Sequence, residues 1–285
     1  MKTKQRGSAW SIKLVFNLYK IFGYNFIYYL MYPVTFFYFI FASNVKKALR
    51  EYYKQLNLPF NNYIYFTHLR LFAICMVDRF ISKFSPESYT FIYEHEKEFA
   101  KTLDEGTILL SSHHGGWATA ANVPLTNNTV NIVMQEVLLE GIKDIENSIE
   151  NKRYQVNIID LNEGGIASSI KIANALMENQ VVAMMADRAN HKKYHKRLDF
   201  FNKEAGFNKN PFQIAYKLKK SILVFFVIYT SKQTYKIKHL KIELDYGEKE
   251  NTAVEIAIKE YINILEETLV EYPNQWFNFY NFWGK

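Results

Sequence analysis

A chain of 285 residues, 49% hydrophobic and 22% charged, can bury one large core, or a smaller core behind an apolar anchor. The formal charge of +7 favours anionic partners such as phospholipid headgroups, lipid phosphates or an acidic carrier protein. A single cysteine, Cys75, excludes an internal disulfide and any multi-cysteine metal centre, and its apolar surroundings read as those of a buried thiol.

Residues 21–45 contain no charged side chain and no histidine, with Lys13 and Lys20 before them and Lys46, Lys47 and Arg50 after. Roughly 20 apolar residues as helix cross a hydrocarbon core. Together with the many Tyr and Phe rings, this predicts a membrane-associated segment that either spans or lies in the interface. Positive charge at both ends leaves its orientation open, and no small-residue cleavage site follows it as in a signal peptide. Residues 1–50 are accordingly expected to be an N-terminal anchor and 51–285 a single α/β domain. Residues 46–57 read as a charged helix closed by Pro59, Asn61 and Asn62, and 63–84 as a helix carrying Asp78 and Arg79.

Beyond residue 91, short apolar runs alternate with amphipathic stretches. Strands are expected at 107–110, 130–134, 156–161, 181–185 and 222–229, with a strand pair near 235–245. Helices are expected at 117–123, 142–151, 167–178, 211–219 and 252–271. The alternation predicts a central mixed or parallel sheet flanked by helices, with ligands at the carboxyl ends of strands.

The run Ser111-Ser112-His113-His114-Gly115-Gly116-Trp117 puts two histidines where a strand ends, then two glycines, then a helix start. A neutral imidazole there can take a proton from an attacking hydroxyl. The glycines would admit a substrate close to the backbone, and helix amides would support an oxyanion. The alternative is a strand-to-helix turn that the histidines merely cap. No Gly-x-Ser-x-Gly elbow, Walker loop or dinucleotide fingerprint is present; Glu163-Gly164-Gly165 lacks the third glycine. The basic residues form no recognisable nucleic-acid module, so no nucleic-acid partner is expected.

His113-His114-Gly115-Gly116-Trp117 resembles the His-x-Gly-Asn-Trp-Glu signature of the lipid A late acyltransferases, within the lysophospholipid acyltransferase superfamily. The run 181–188, ending in Asp187-Arg188, is similar to that family's strand ending in Asp-Gln or Asp-Arg. Residues 198–205 with Pro211 resemble its phenylalanine-rich segment and following helix, and Tyr272-Pro273-Asn274-Gln275-Trp276 resembles its C-terminal pattern. These matches run in order along nearly the whole chain.

The resemblance implies acyl transfer from a thioester, acyl carrier protein or coenzyme A, to a hydroxyl or amine of a membrane glycolipid or lysolipid. It needs no metal or cofactor and takes place at the cytoplasmic face of a bacterial inner membrane. His113 would be the base; His114, Gly115, Gly116, Trp117 and Arg188 would shape the substrate site. One departure stands out. The family places an acidic residue five positions after its histidine, and here that position is Ala118, with Thr119 five after His114. Another acid supplies the role, the histidine works unassisted, or the chain is an inactive relative that binds lipid or a partner. Asp187 is the first candidate substitute, its alternative being a salt bridge with Arg188 or a cap; Asp78, beside Arg79, is the second, its alternative being a buried ion pair tying a helix to the domain. The basic run from Arg188 to Lys209, including His191, Lys192, Lys193, His195, Lys196 and Arg197, suits a lipid phosphate or an acidic carrier surface. His191 and His195 share a helical spacing, but the lysines around them oppose a metal ion.

Overall fold

The computed structural model describes residues 9–120, 126–135, 156–188 and 194–284, with side chains from residue 13 onward. Three helices lead: α1 (Ala9–Phe41), α2 (Ser43–Gln55) and α3 (Asn62–Phe84). Gly23, at φ 72°, breaks α1, since only glycine takes that conformation without strain. Asn61 caps α3 by accepting from the Ile64 amide at 2.9 Å. No single helix among the described residues is long and apolar enough to cross a membrane. The pair α1 and α2 reaches that length and apolarity together, across an 89° bend.

The domain continues through β1 (Thr90–Tyr93), α4 (Glu96–Asp104), β2 (Ile108–Ser111), the single turn α5 (Trp117–Ala120) and β3 (Val130–Met134). Then follow β4 (Val156–Asp160), α6 (Gly165–Met177), β5 (Val181–Met185), β6 (His195–Phe200) and β7 (Lys203–Asn208). Last come α7 (Asn210–Leu218), β8 (Ile222–Ser231), β9 (Thr234–Ile242) and α8 (Glu250–Glu271).

Seven strands form one mixed sheet in the order β1-β9-β8-β2-β5-β3-β4, parallel throughout except for the β8–β9 hairpin. The central β2 is buried along its whole length, as its continuous Ile-Leu-Leu run requires of a strand covered on both faces. Helix α2 buries Val45, Leu49, Tyr52 and Tyr53 in the same core as the sheet and α8. Helix α1 packs against α3, burying Ile27 and Met31 beside Leu71 and Ile74.

Two readings need correction. The expected strand pair near 235–245 is the single strand β9, whose partner is β8 across the turn at Lys232 and Gln233. The basic stretch contains the antiparallel pair β6–β7, so His195 opens a strand instead of sharing a helix face with His191. His191, Lys192, Lys193 and the helix expected at 142–151 lie outside the described residues.

Candidate active site

Strands β2 and β5 are parallel neighbours with Ser111 level with Met185. Two residues farther along each chain stand His113 and Asp187, so the register brings them together at the carboxyl edge of the sheet. His113 Nδ1 lies 2.8 Å from Asp187 Oδ1 and 3.1 Å from Oδ2, and the His113 amide donates to Oδ2 at 3.0 Å. The Trp276 indole N–H also donates to Oδ2, at 3.2 Å. Asp187 is fully buried, whereas the His113 side chain keeps 27% of its surface exposed.

Burial alone would raise the Asp187 carboxyl. The His113 imidazole, its hydrogen bonds and the nearby Arg188 charge outweigh it and hold the group down at about 2. A carboxylate on Nδ1 fixes the imidazole as the Nδ1–H tautomer, leaving Nε2 as an acceptor. Nε2 has no partner among the described residues, and the ring edge faces Trp117 at 6.1 Å between centroids. The arrangement can take a proton from a group presented at Nε2 and stabilise the imidazolium that results.

The other residues of the motif divide. His114 is fully buried, its backbone bridged to Trp276 and its Nε2 3.3 Å from the Tyr272 carbonyl; burial lowers its imidazole to about 4, so it stays neutral. Gly115 has φ 59° and its amide donates to the Gln275 carbonyl, while the Gly116 amide donates to Val227. A Cβ on Gly115 would stand 1.9 Å from the Val227 oxygen, and one on Gly116 would stand 2.4 Å from the Tyr235 ring. These glycines therefore admit strand β8 and a tyrosine ring rather than a substrate, and their amides are engaged within the fold.

Arg188 is tied to the C-terminal segment: one guanidinium nitrogen donates to the Phe277 carbonyl at 2.9 Å, and the group lies 5.3 Å from the Tyr280 ring. Its Nε is buried without a partner. A buried unpaired donor on a fixed cation next to Asp187 is a position where developing negative charge would be stabilised.

Asp78 is fully buried in α3, and tyrosine hydroxyls hold its carboxylate: Tyr89 at 3.0 Å, Tyr235 and Tyr24. Tyrosine hydroxyls thus stand where a buried ion pair is the alternative reading of Asp78. Burial pushes the Asp78 carboxyl up to about 6 despite those hydroxyls. In the basic stretch, Lys196 pairs with Glu255, and Arg197 with Glu204 at 3.0 Å, so both cations already face carboxylates.

A family model described as bacterial lipid A biosynthesis acyltransferase matches residues 65–285. The chain belongs to this family. No curated protein matches it. Membership identifies an acyltransferase of lipid biosynthesis, acting in general on a lipid acceptor and an acyl donor. Against that family background Ala118 is the second residue of α5, after Trp117, and Asp187 occupies the Nδ1 face of His113.

Sequence reasoning underrated the C-terminal segment. The Trp276 indole reaches Asp187, and the Phe277 amide donates to the His113 carbonyl at 2.8 Å. Gln275 bonds both the amide and the carbonyl of Tyr229 with its side chain, at 2.8 and 2.9 Å. The Tyr-Pro-x-Gln-Trp pattern was the available signal.

Proposed function

We propose that this acyltransferase moves a fatty acyl chain from an acyl thioester, on acyl carrier protein or coenzyme A, to a hydroxyl or amine of a membrane glycolipid or lysolipid. His113 Nε2 takes the proton of the acceptor hydroxyl as its oxygen attacks the thioester carbonyl carbon. The C–S bond then breaks, and the proton passes to the departing thiolate. Asp187 is the positioning carboxylate that keeps Nε2 unprotonated and stabilises the imidazolium. Arg188 supplies positive charge and a free N–H for the carbonyl oxygen or a lipid phosphate, and Trp117 borders the imidazole. No metal or cofactor enters these steps.

The observation that carries the reading is the 2.8 Å contact between His113 Nδ1 and a fully buried Asp187. It weakens the rival reading of an inactive lipid-binding relative, whose main support was Ala118. The outward face of α1, with Phe22, Phe26, Tyr29, Phe36, Phe37 and Phe41 exposed, supports residence on a lipid surface. The proposed location is the cytoplasmic face of a bacterial inner membrane, where thioester donors are found.

The test is transfer of a labelled acyl group from acyl carrier protein or coenzyme A to a bacterial membrane lipid extract. Activity in the wild type that is lost in His113→Ala supports the reading; equal activity in both would overturn it.

A further inference from the structure

Two cations meet on one aromatic ring at the junction of α1, α3 and the β8–β9 turn. The Arg70 guanidinium lies 4.5 Å from the Tyr28 ring centroid and 4.0 Å from that of Tyr32. Lys232 Nζ lies 4.5 Å from the same Tyr28 ring and 4.7 Å from Tyr29, and donates to Asn25 Oδ1 at 2.9 Å. Arg70 Nε and Nη2 are buried without a hydrogen-bond partner, although the Arg70 side chain also bonds the Tyr28 hydroxyl. Neither cation forms an ion pair with a carboxylate among the described residues. Stacking on ring faces favours a cation but leaves its in-plane N–H donors unsatisfied, and unmade hydrogen bonds of a buried charge are costly.

The position adds a second constraint. Strand β8 runs beside β2 and continues beyond its carboxyl end, where Val227 bridges to Gly115. From there five more residues, roughly 16 Å of strand, carry the chain to Lys232. The two cations thus lie beyond the sheet edge that carries His113. They also stand beside the exposed aromatic face of α1, where Tyr29 is 60% and Tyr32 44% exposed.

We propose that Arg70 and Lys232 form a binding site for the phosphate of an anionic membrane lipid headgroup, seated among the rings of Tyr28, Tyr29 and Tyr32. Resting on the reading of α1 as a lipid-facing helix, the site fixes the protein's rotation on the surface so that the His113 edge faces the bilayer. The planar guanidinium supplies the paired donors that a phosphate accepts, and the Lys232 ammonium adds a second charge.

The test is flotation of the full-length chain with vesicles of phosphatidylcholine alone and of phosphatidylcholine with phosphatidylglycerol, using wild type, Arg70→Lys, Arg70→Gln and Lys232→Gln. Melting temperatures of all four confirm folding, and Lys232→Gln, in the hairpin turn, carries the test if the Arg70 variants do not fold. The expected result is wild-type preference for the anionic vesicles, reduced about fivefold in Arg70→Gln and in Lys232→Gln, which is the change expected for about 1 kcal/mol per basic side chain at an anionic surface. Arg70→Lys is expected to lose affinity as well, because the fork is lost while the charge is kept. Full retention in Arg70→Lys would mean a diffuse basic surface and would overturn the site. Equal wild-type binding to both vesicles would overturn it while leaving the α1 reading intact; binding to neither would overturn both. Wild-type binding of inorganic phosphate without any anionic-vesicle preference would assign the residues to a free phosphate and overturn the lipid assignment.

Discussion

The Trp276 indole N–H and the His113 amide donate to the same Asp187 oxygen, at 3.2 and 3.0 Å. The C-terminal segment therefore helps hold the carboxylate that orients the imidazole. A hydrogen bond to a charged acceptor contributes about 1.5–3 kcal/mol. Trp276→Phe should lower unfolding free energy by about 2 kcal/mol, reduce kcat with little change in KM, and move the acid limb of activity to higher pH. Denaturant unfolding and a pH–rate profile check this; an unshifted acid limb would restrict Trp276 to packing.

Asp187→Asn keeps the shape and removes the charge. With an amide on Nδ1 the imidazole can adopt the opposite tautomer, and acyl transfer should fall by roughly three to four orders of magnitude. The measurement is kcat in a folded variant; a loss of less than tenfold would exclude Asp187 as the orienting acid.

Ala118→Glu restores the acid at the family's usual position, yet Nδ1 is already occupied by Asp187. Activity of this variant should stay within a few-fold of wild type. The informative combination is Ala118→Glu with Asp187→Asn, and substantial rescue there would show that the site accepts its acid from either side.

Two buried aspartates pull stability in opposite directions with pH. The folded value of Asp187 is depressed from 3.8 to about 2, so its contribution is complete above about pH 4 and is lost as pH falls through about 2. Asp78 is raised from 3.8 to about 6, so its folded form takes up a proton more readily. Its contribution is greatest below about pH 4 and is lost as pH rises through about 6. Asp78→Asn, which can still accept from the tyrosine hydroxyls, should raise the melting temperature above pH 6, by an amount corresponding to the order of 2–3 kcal/mol. Melting curves between about pH 1 and 8, a range that brackets both values, decide it.

Gly115→Ala should unfold or severely destabilise the protein, by about 3 kcal/mol or more, because its Cβ would stand 1.9 Å from a backbone oxygen at a positive φ. A stable, folded variant with selective loss of acyl transfer would instead favour a substrate contact at this glycine.

The apolar runs of β2, β5 and β8 were legible because a central strand buried on both faces needs an uninterrupted hydrophobic stretch. The β6–β7 pair was not, because His195, Lys196 and Arg197 obscure the alternation that burial of Phe200 and Phe207 imposes. Nor did the sequence reveal what the two glycines accommodate. A glycine marks close approach, and β8, more than a hundred residues away in the chain, comes close here.

By itself the sequence determined the family, through ordered motifs across most of the chain, and named both His113 and Asp187 as strand-end residues. Only the tertiary structure decided that these two face each other. They are 74 residues apart, and their contact depends on β2 and β5 being parallel neighbours with Ser111 level with Met185. Strand order and register arise from packing the whole sheet between its helices, a property of the assembled core that no local run of residues encodes.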